Sequence, residues 1–161
     1  MIRAPTSWLV YGSFAFALIF LILPLPAGVD AMRPFLLAMF MAYWSMEVPD
    51  KVGIGTAFFV GLLADLMSAT LLGEHALRLV VLVFLVQRFR ARLRFFPLWQ
   101  QALAIGLLLG NDQILLIIVH WLSGATLVSW KNAVSPLLGM LLWPWLYVLL
   151  DMARLRARER A

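Results

Sequence analysis

The chain has 161 residues, 64% hydrophobic and only 13% charged, with a formal net charge of +5. That balance excludes an ordinary water-soluble domain, in which about a quarter of the residues are charged. The absence of cysteine excludes disulfides, thiolate metal sites and a cysteine nucleophile. The positive charge does not suggest nucleic acid, because the arginines cluster beside hydrophobic segments, where topology signals sit. The length fits one domain, residues 1–161, with nearly all of it needed for a membrane.

The first apolar run, residues 7–23, stops at Pro24-Leu25-Pro26. It is longer than a usual signal-peptide core and only Arg3 precedes it, so it is expected to remain as a helix. The second span, 34–46, is short; Pro34 suits a helix's first turn, and Glu47 and Pro49 close it. The third, 53–72, belongs to the stretch VGIGTAFFVGLLADLMSATLLG, whose one charge is Asp65. At about 100° per residue, Gly53, Ala57, Gly61, Ala64 and Ser68 share one side, with Asp65 at its edge and Phe59, Leu62, Leu63 and Leu66 opposite. Small residues spaced by four let two membrane helices approach closely, and the large ones then face lipid. A carboxylate at that depth is costly unless paired, protonated or hydrated. Asp65 is therefore expected against another helix, with Arg78 the first candidate partner and Arg33 the second.

The fourth span, 75–89, carries Arg78 one turn in; the fifth is 98–122, and the sixth, 133–150, contains Pro144. A helix needs roughly 20 apolar residues to cross the hydrocarbon, so the shorter spans are expected to tilt little, to thin the bilayer or to be shielded by neighbours. The sum is an all-α integral membrane protein with six transmembrane helices. With both termini inside, Arg3, Lys51, Arg88, Arg90, Arg92, Arg94, Arg154, Arg156, Arg158 and Arg160 lie on the inner side, against Arg33, Arg78 and Lys131 outside. The runs RFRARLR (88–94) and RLRARER (154–160) put their charges on opposite helix faces, which suits topology signals and contact with anionic lipid headgroups. A docking site for a cytosolic partner is the sharper reading of the same runs.

On the fifth span Gly106, Gly110, Gln113 and His120 share a face, with Gly106 and Gly110 a close-packing pair; Asn111 and Asp112 point away. Asp112, like Asp65, is a carboxylate at mid-membrane or beyond, within reach of an outer arginine. His75 reads as a loop residue and His120 as an interfacial hydrogen bonder, which is no ligand set, so no metal or cofactor is expected. Tyr43-Trp44 and the tryptophans flanking Pro144, Trp143 and Trp145, stand near span ends and read as interfacial belt residues. No Walker loop, GxSxG elbow or HExxH is present. Neither aspartate lies in the glycine-flanked motif of intramembrane aspartyl proteases, and no enzyme is expected.

Several short words are more specific than composition. Arg33-Pro34 opening the second span, Tyr43-Trp44, Pro49, the Gly61…Asp65…Leu72-Gly73 stretch, LWQQAL (98–103) and LWPW (142–145) follow one another across nearly the whole chain. In that order they resemble the rod shape-determining protein MreD family. The resemblance implies a non-enzymatic component of the bacterial cell-elongation complex in the inner membrane. It implies MreC as the direct partner, with the actin-like MreB filament, a SEDS glycosyltransferase and a penicillin-binding transpeptidase in the wider assembly. It also implies a six-helix fold similar to the substrate-binding subunits of energy-coupling-factor transporters, and fold alone does not carry function. Two classes therefore stand side by side. One is a scaffold packed through its small-residue faces. The other is a small-molecule-binding transporter subunit with Asp65, Asn111, Asp112 and Gln113 lining a path.

Overall fold

The computed structural model describes residues 5–23, 33–124 and 134–159, and the regular structure among them is helical throughout. The helices are α1 (Pro5–Ile22), α2 (Arg33–Glu47), α3 (Ile54–Ser68), α4 (Glu74–Leu93), α5 (Leu98–Ser123) and α6 (Ser135–Glu159). Five of them form a closed ring in which α3 touches α4, α4 touches α5, α5 touches α6, α6 touches α1 and α1 touches α3. The sixth, α2, fills the centre against α1, α4, α5 and α6.

That position explains why α2 is short and apolar on every side. A helix hydrophobic all round belongs inside a bundle, and residues 37–46 are buried without exception. The ring supplies the shielding that so brief a segment needs. Outside, the ring presents large apolar side chains: Phe16 on α1, Phe59 and Leu66 on α3, Leu107 on α5, Leu141 and Trp145 on α6 are all exposed. In water such a surface invites association; in hydrocarbon it is at home. The stretches Leu98–Ser123 and Ser135–Ala157 are each long and apolar enough to cross a membrane.

The helices alternate up and down, so one end of the bundle gathers the start of α1, α3 and α5 with the finish of α2, α4 and α6. Contacts across that end include Lys51 Nζ to Ser7 Oγ, Gln87 Nε2 to the Val52 carbonyl and Arg90 Nε to the Met46 carbonyl. It is the basic end, holding Lys51 and the described arginines of both runs.

Four details depart from the sequence reading. Helix α3 ends at Ser68, short of residue 72, because Ala69 turns left-handed (φ 52°) and Thr70 folds back to donate to Asp65 Oδ1 at 3.2 Å. Helix α4 begins at Glu74, which makes His75 helical and not a loop residue. Helices α4 and α6 run on through the arginines to Leu93 and Glu159. Tyr43, Trp44 and Trp143 are core residues, not belt residues, and Trp44 Nε1 donates to Ser13 Oγ of α1 at 2.7 Å; of these aromatics Trp145 alone faces outward.

Candidate functional site

The polar interior falls into two groups, one at each end of the ring. At the end away from the arginines, α3 and α4 form a tight hairpin. Gly73 takes φ +97°, a left-handed turn that glycine adopts at no steric cost, and it stands at the N-cap of α4 with no side chain to cap with. The missing acceptor comes from the preceding helix. Asp65 Oδ2 accepts from the Gly73 amide at 2.8 Å and the Ala76 amide at 3.4 Å, and Oδ1 accepts from the His75 amide at 2.8 Å. His75 Nδ1 lies 2.9 Å from the same Oδ1. A carboxylate at a helix N-terminus satisfies orphan amides and meets the positive end of the helix dipole, so a buried charge that reads as costly is held by its neighbours. Gly61, one turn earlier, makes this approach possible. A Cβ there would stand 2.6 Å from the Ala76 nitrogen and 2.9 Å from the His75 carbonyl carbon.

The small face of α3 is the buried one: Ala57, Gly61, Ala64 and Asp65 are buried, and Ser68 spends its hydroxyl on the Ala64 carbonyl of its own helix at 2.6 Å. Gly53 caps the helix and has open space where a side chain would go, so it takes no part in close packing.

Arg78 does not serve Asp65. The carboxylate of Asp65 lies against the backbone of the first turn of α4, where amides and the short imidazole reach it. Arg78, further along α4, spans to α5. Its Nε donates to Asp112 Oδ1 at 3.0 Å and its Nη2 to Oδ2, a two-point pairing. Glu74 Oε1, one turn back, is 3.5 Å from Nη1. Both side chains of the Arg78–Asp112 pair are almost fully buried. The side chain of Arg33, the second candidate, lies outside the described residues. On α5, Gln113 is buried beside this pair in sequence, Gly106 meets the Met140 side chain of α6 at 3.2 Å from an added Cβ, and Gly110 has open space. The expected Gly106–Gly110 pair is thus a single close approach. His120 Nδ1 lies 3.0 Å from the Leu116 carbonyl of its own helix.

The basic end is organised on Glu47, the last residue of α2, whose side chain is 3% exposed. It receives Arg154 of α6, with Arg94, the residue that caps the end of α4, at 3.6 Å. Arg154 also donates to Asp151 Oδ1 at 2.8 Å, and the Tyr43 hydroxyl donates to that oxygen at 3.4 Å. Arg90 Nε donates to the Met46 carbonyl at 2.6 Å, a cation on a helix C-terminus. The desolvation that Arg154 meets there is offset by its hydrogen bonds to Glu47 and Asp151. Gln101 adds a neutral tie: its Nε2 donates to the Leu93 carbonyl at 2.9 Å and its Oε1 accepts from Trp143 Nε1 at 3.5 Å. The LWQQAL and LWPW words thereby meet across α4, α5 and α6.

The two arginine runs are therefore not uniform. Arg90 and Arg154 are internal ties and Arg94 reaches Glu47 from the surface, while Arg88, Arg92 and Arg156 are exposed with no acidic partner among the described residues. The side chain of Arg158, and Arg160 entirely, lie outside the described residues. Glu47, Asp151, His75 and Gln101 carry weight that the sequence reading did not give them. For Glu47 the available signal was an acid closing an apolar run on the same side as two arginine runs. No cluster of three His, Cys, Asp or Glu capable of holding a metal occurs among the described residues.

A helical bundle with an apolar outer surface and two helices long and apolar enough to cross a membrane has the character of a membrane protein, and the buried charges among its described residues are matched by groups of the same chain. A family model described as rod shape-determining protein MreD matches residues 2–153. The chain belongs to the MreD family of rod shape-determining proteins. It is 29% identical over 145 residues to the rod shape-determining protein MreD of Haemophilus influenzae, covering 90% of each chain. No solved structure gives a significant match.

Proposed function

We propose that the protein is a non-enzymatic scaffold subunit of the bacterial cell-elongation complex. It sits in the inner membrane with six spans and both termini in the cytoplasm, and it supports lateral peptidoglycan synthesis by binding MreC. A SEDS glycosyltransferase, a penicillin-binding transpeptidase and the MreB filament belong to the wider assembly. The observation that carries this reading is family membership over residues 2–153. The interior adds support: Asp65 and Asp112, the groups a transport path would use, are engaged by His75, backbone amides and Arg78. A path needs polar groups free to exchange partners with a substrate.

The test is depletion in the host combined with affinity purification. Cells losing the protein are expected to round up and lyse without acquiring a nutrient requirement, and a single-span periplasmic protein, MreC, should co-purify. Rod-shaped depleted cells that grow only with an added small molecule would support the transporter reading instead.

A further inference from the structure

A groove of about 380 Å³ runs along the outside of the ring between α4 and α5. Its walls are apolar, formed chiefly by Leu85 and Phe89 of α4 and Phe96 of the turn after it, with Leu107 and Leu108 of α5. Arg92 lines the end nearer the arginines, and Asn111 marks the other end. From Arg92 back to Leu85 is seven residues of helix, so the trough is about 10 Å long. Its charge is one-sided. Arg90 donates to the Met46 carbonyl and Arg94 lies 3.6 Å from Glu47, whereas Arg92, and Arg88 one turn earlier, are exposed without an acidic partner among the described residues. The arginines at this end of α4 thus divide into two that are tied to other helices, Arg90 and Arg94, and two that are not, of which Arg92 lines the apolar trough and Arg88 lies one turn from it.

We infer that this groove seats one acidic glycerophospholipid, an acyl chain lying along Leu85, Phe89, Leu107 and Leu108 and its phosphate on Arg92, with Arg88 adding to the field. Charge complementarity selects the occupant. A guanidinium binds phosphate through a planar fork of donors, and an apolar trough directly beneath a guanidinium that has no acidic partner among the described residues matches the two parts of a phospholipid in their natural order. The assignment of this lipid to the cytoplasmic leaflet rests on the proposed topology; the binding itself does not.

Native mass spectrometry of the whole protein in detergent, offered equal phosphatidylglycerol and phosphatidylcholine, tests the site without reference to leaflet. The wild type is expected to retain phosphatidylglycerol preferentially. Arg92→Gln should reduce that retention by about five-fold, the effect of one basic residue at an anionic lipid surface, and Leu107→Trp should reduce it by filling the trough. Arg156→Gln, an equal change of charge on α6, should leave it unaltered. Equal losses in Arg92→Gln and Arg156→Gln would reduce the preference to net charge and overturn the site. So would retention of both lipids alike, or loss of a co-purifying protein on Asn111→Leu with no lipid preference, which would make the trough a seat for a partner helix. Failure of the topology would show separately, as labelling of Ala91→Cys from outside the cell.

Discussion

Asp65 shows how one residue is read differently in one and in three dimensions. As a lone carboxylate in an apolar stretch it calls for a cationic partner, and the nearest arginine in the sequence is the natural candidate. Its actual partners are mostly backbone amides, which carry no signature in a sequence because every residue has one. This changes what its substitutions do. Asp65→Asn keeps the shape but turns an NH2 group toward amide donors at Gly73, His75 and Ala76, stranding at least one of them. It is expected to cost about 1–3 kcal/mol, and Asp65→Leu more, since every one of those donors then loses its acceptor. Thermal unfolding in detergent measures both; wild-type stability in Asp65→Asn would show that the cap is dispensable. The Arg78–Asp112 pair behaves otherwise, because each partner neutralises the other. Arg78→Leu or Asp112→Leu alone strands a buried charge and should cost about 3–5 kcal/mol. The double variant should recover part of that loss, whereas a double variant as unstable as the two singles summed would mean that the groups are uncoupled.

At the scale of elements, the small-residue face of α3 was legible because its periodicity is a property of one helix. Residues 57, 61 and 64 recur on one side, and that side is buried. The same logic overreached on α5, where Gly106 and Gly110 share a face but only Gly106 meets a neighbour. Spacing states which residues share a face; it does not state how far along the helix a partner comes close. The two glycines chosen for test separate these cases. Gly61→Ala drives a methyl into the backbone at Ala76, which has no rotamer to yield. It is expected to lose about 1–3 kcal/mol by overpacking. Gly110→Ala has room and should be neutral or gain up to about 1 kcal/mol from helix propensity. Equal melting temperatures for the two variants would remove Gly61 as the contact that sets the α3–α4 distance. The central role of α2 was legible only as one of several alternatives for a short span, shielding by neighbours, because a short apolar run looks alike whether lipid or protein surrounds it. Nor was the division of the arginines, which depends on Glu47 being drawn in beneath them from a different helix.

For the whole molecule, the decisive question is how many of its helices cross the membrane. Among the described residues only α5 and α6 contain stretches of the length and apolarity that spanning ordinarily takes; α2 and α3 have 15 residues each, about 22 Å of helix against a hydrocarbon core of about 30 Å. Yet α2 is wrapped by the ring, so its ends need not reach water directly, and α3 is lengthened by the turn at 69–73 that Asp65 holds. If all six cross, the alternation places Leu72 and Ser123 at one face and Ala91 and Ala157 at the other. If only α5 and α6 cross, Leu72 and Ala91 stay on the same side. Because the chain has no cysteine, single cysteines report each position without any background. Leu72→Cys and Ser123→Cys are better outer reporters than position 74, whose glutamate is buried against Arg78. With a membrane-impermeant maleimide, both are expected to label in intact cells, while Ala91→Cys and Ala157→Cys label only after permeabilisation. Labelling of Ala91→Cys from outside would reverse the orientation drawn from the arginines. Protection of Leu72→Cys together with Ala91→Cys would leave α3 and α4 as a hairpin that dips into the bilayer from the inner side, with Asp65 as its buried clasp.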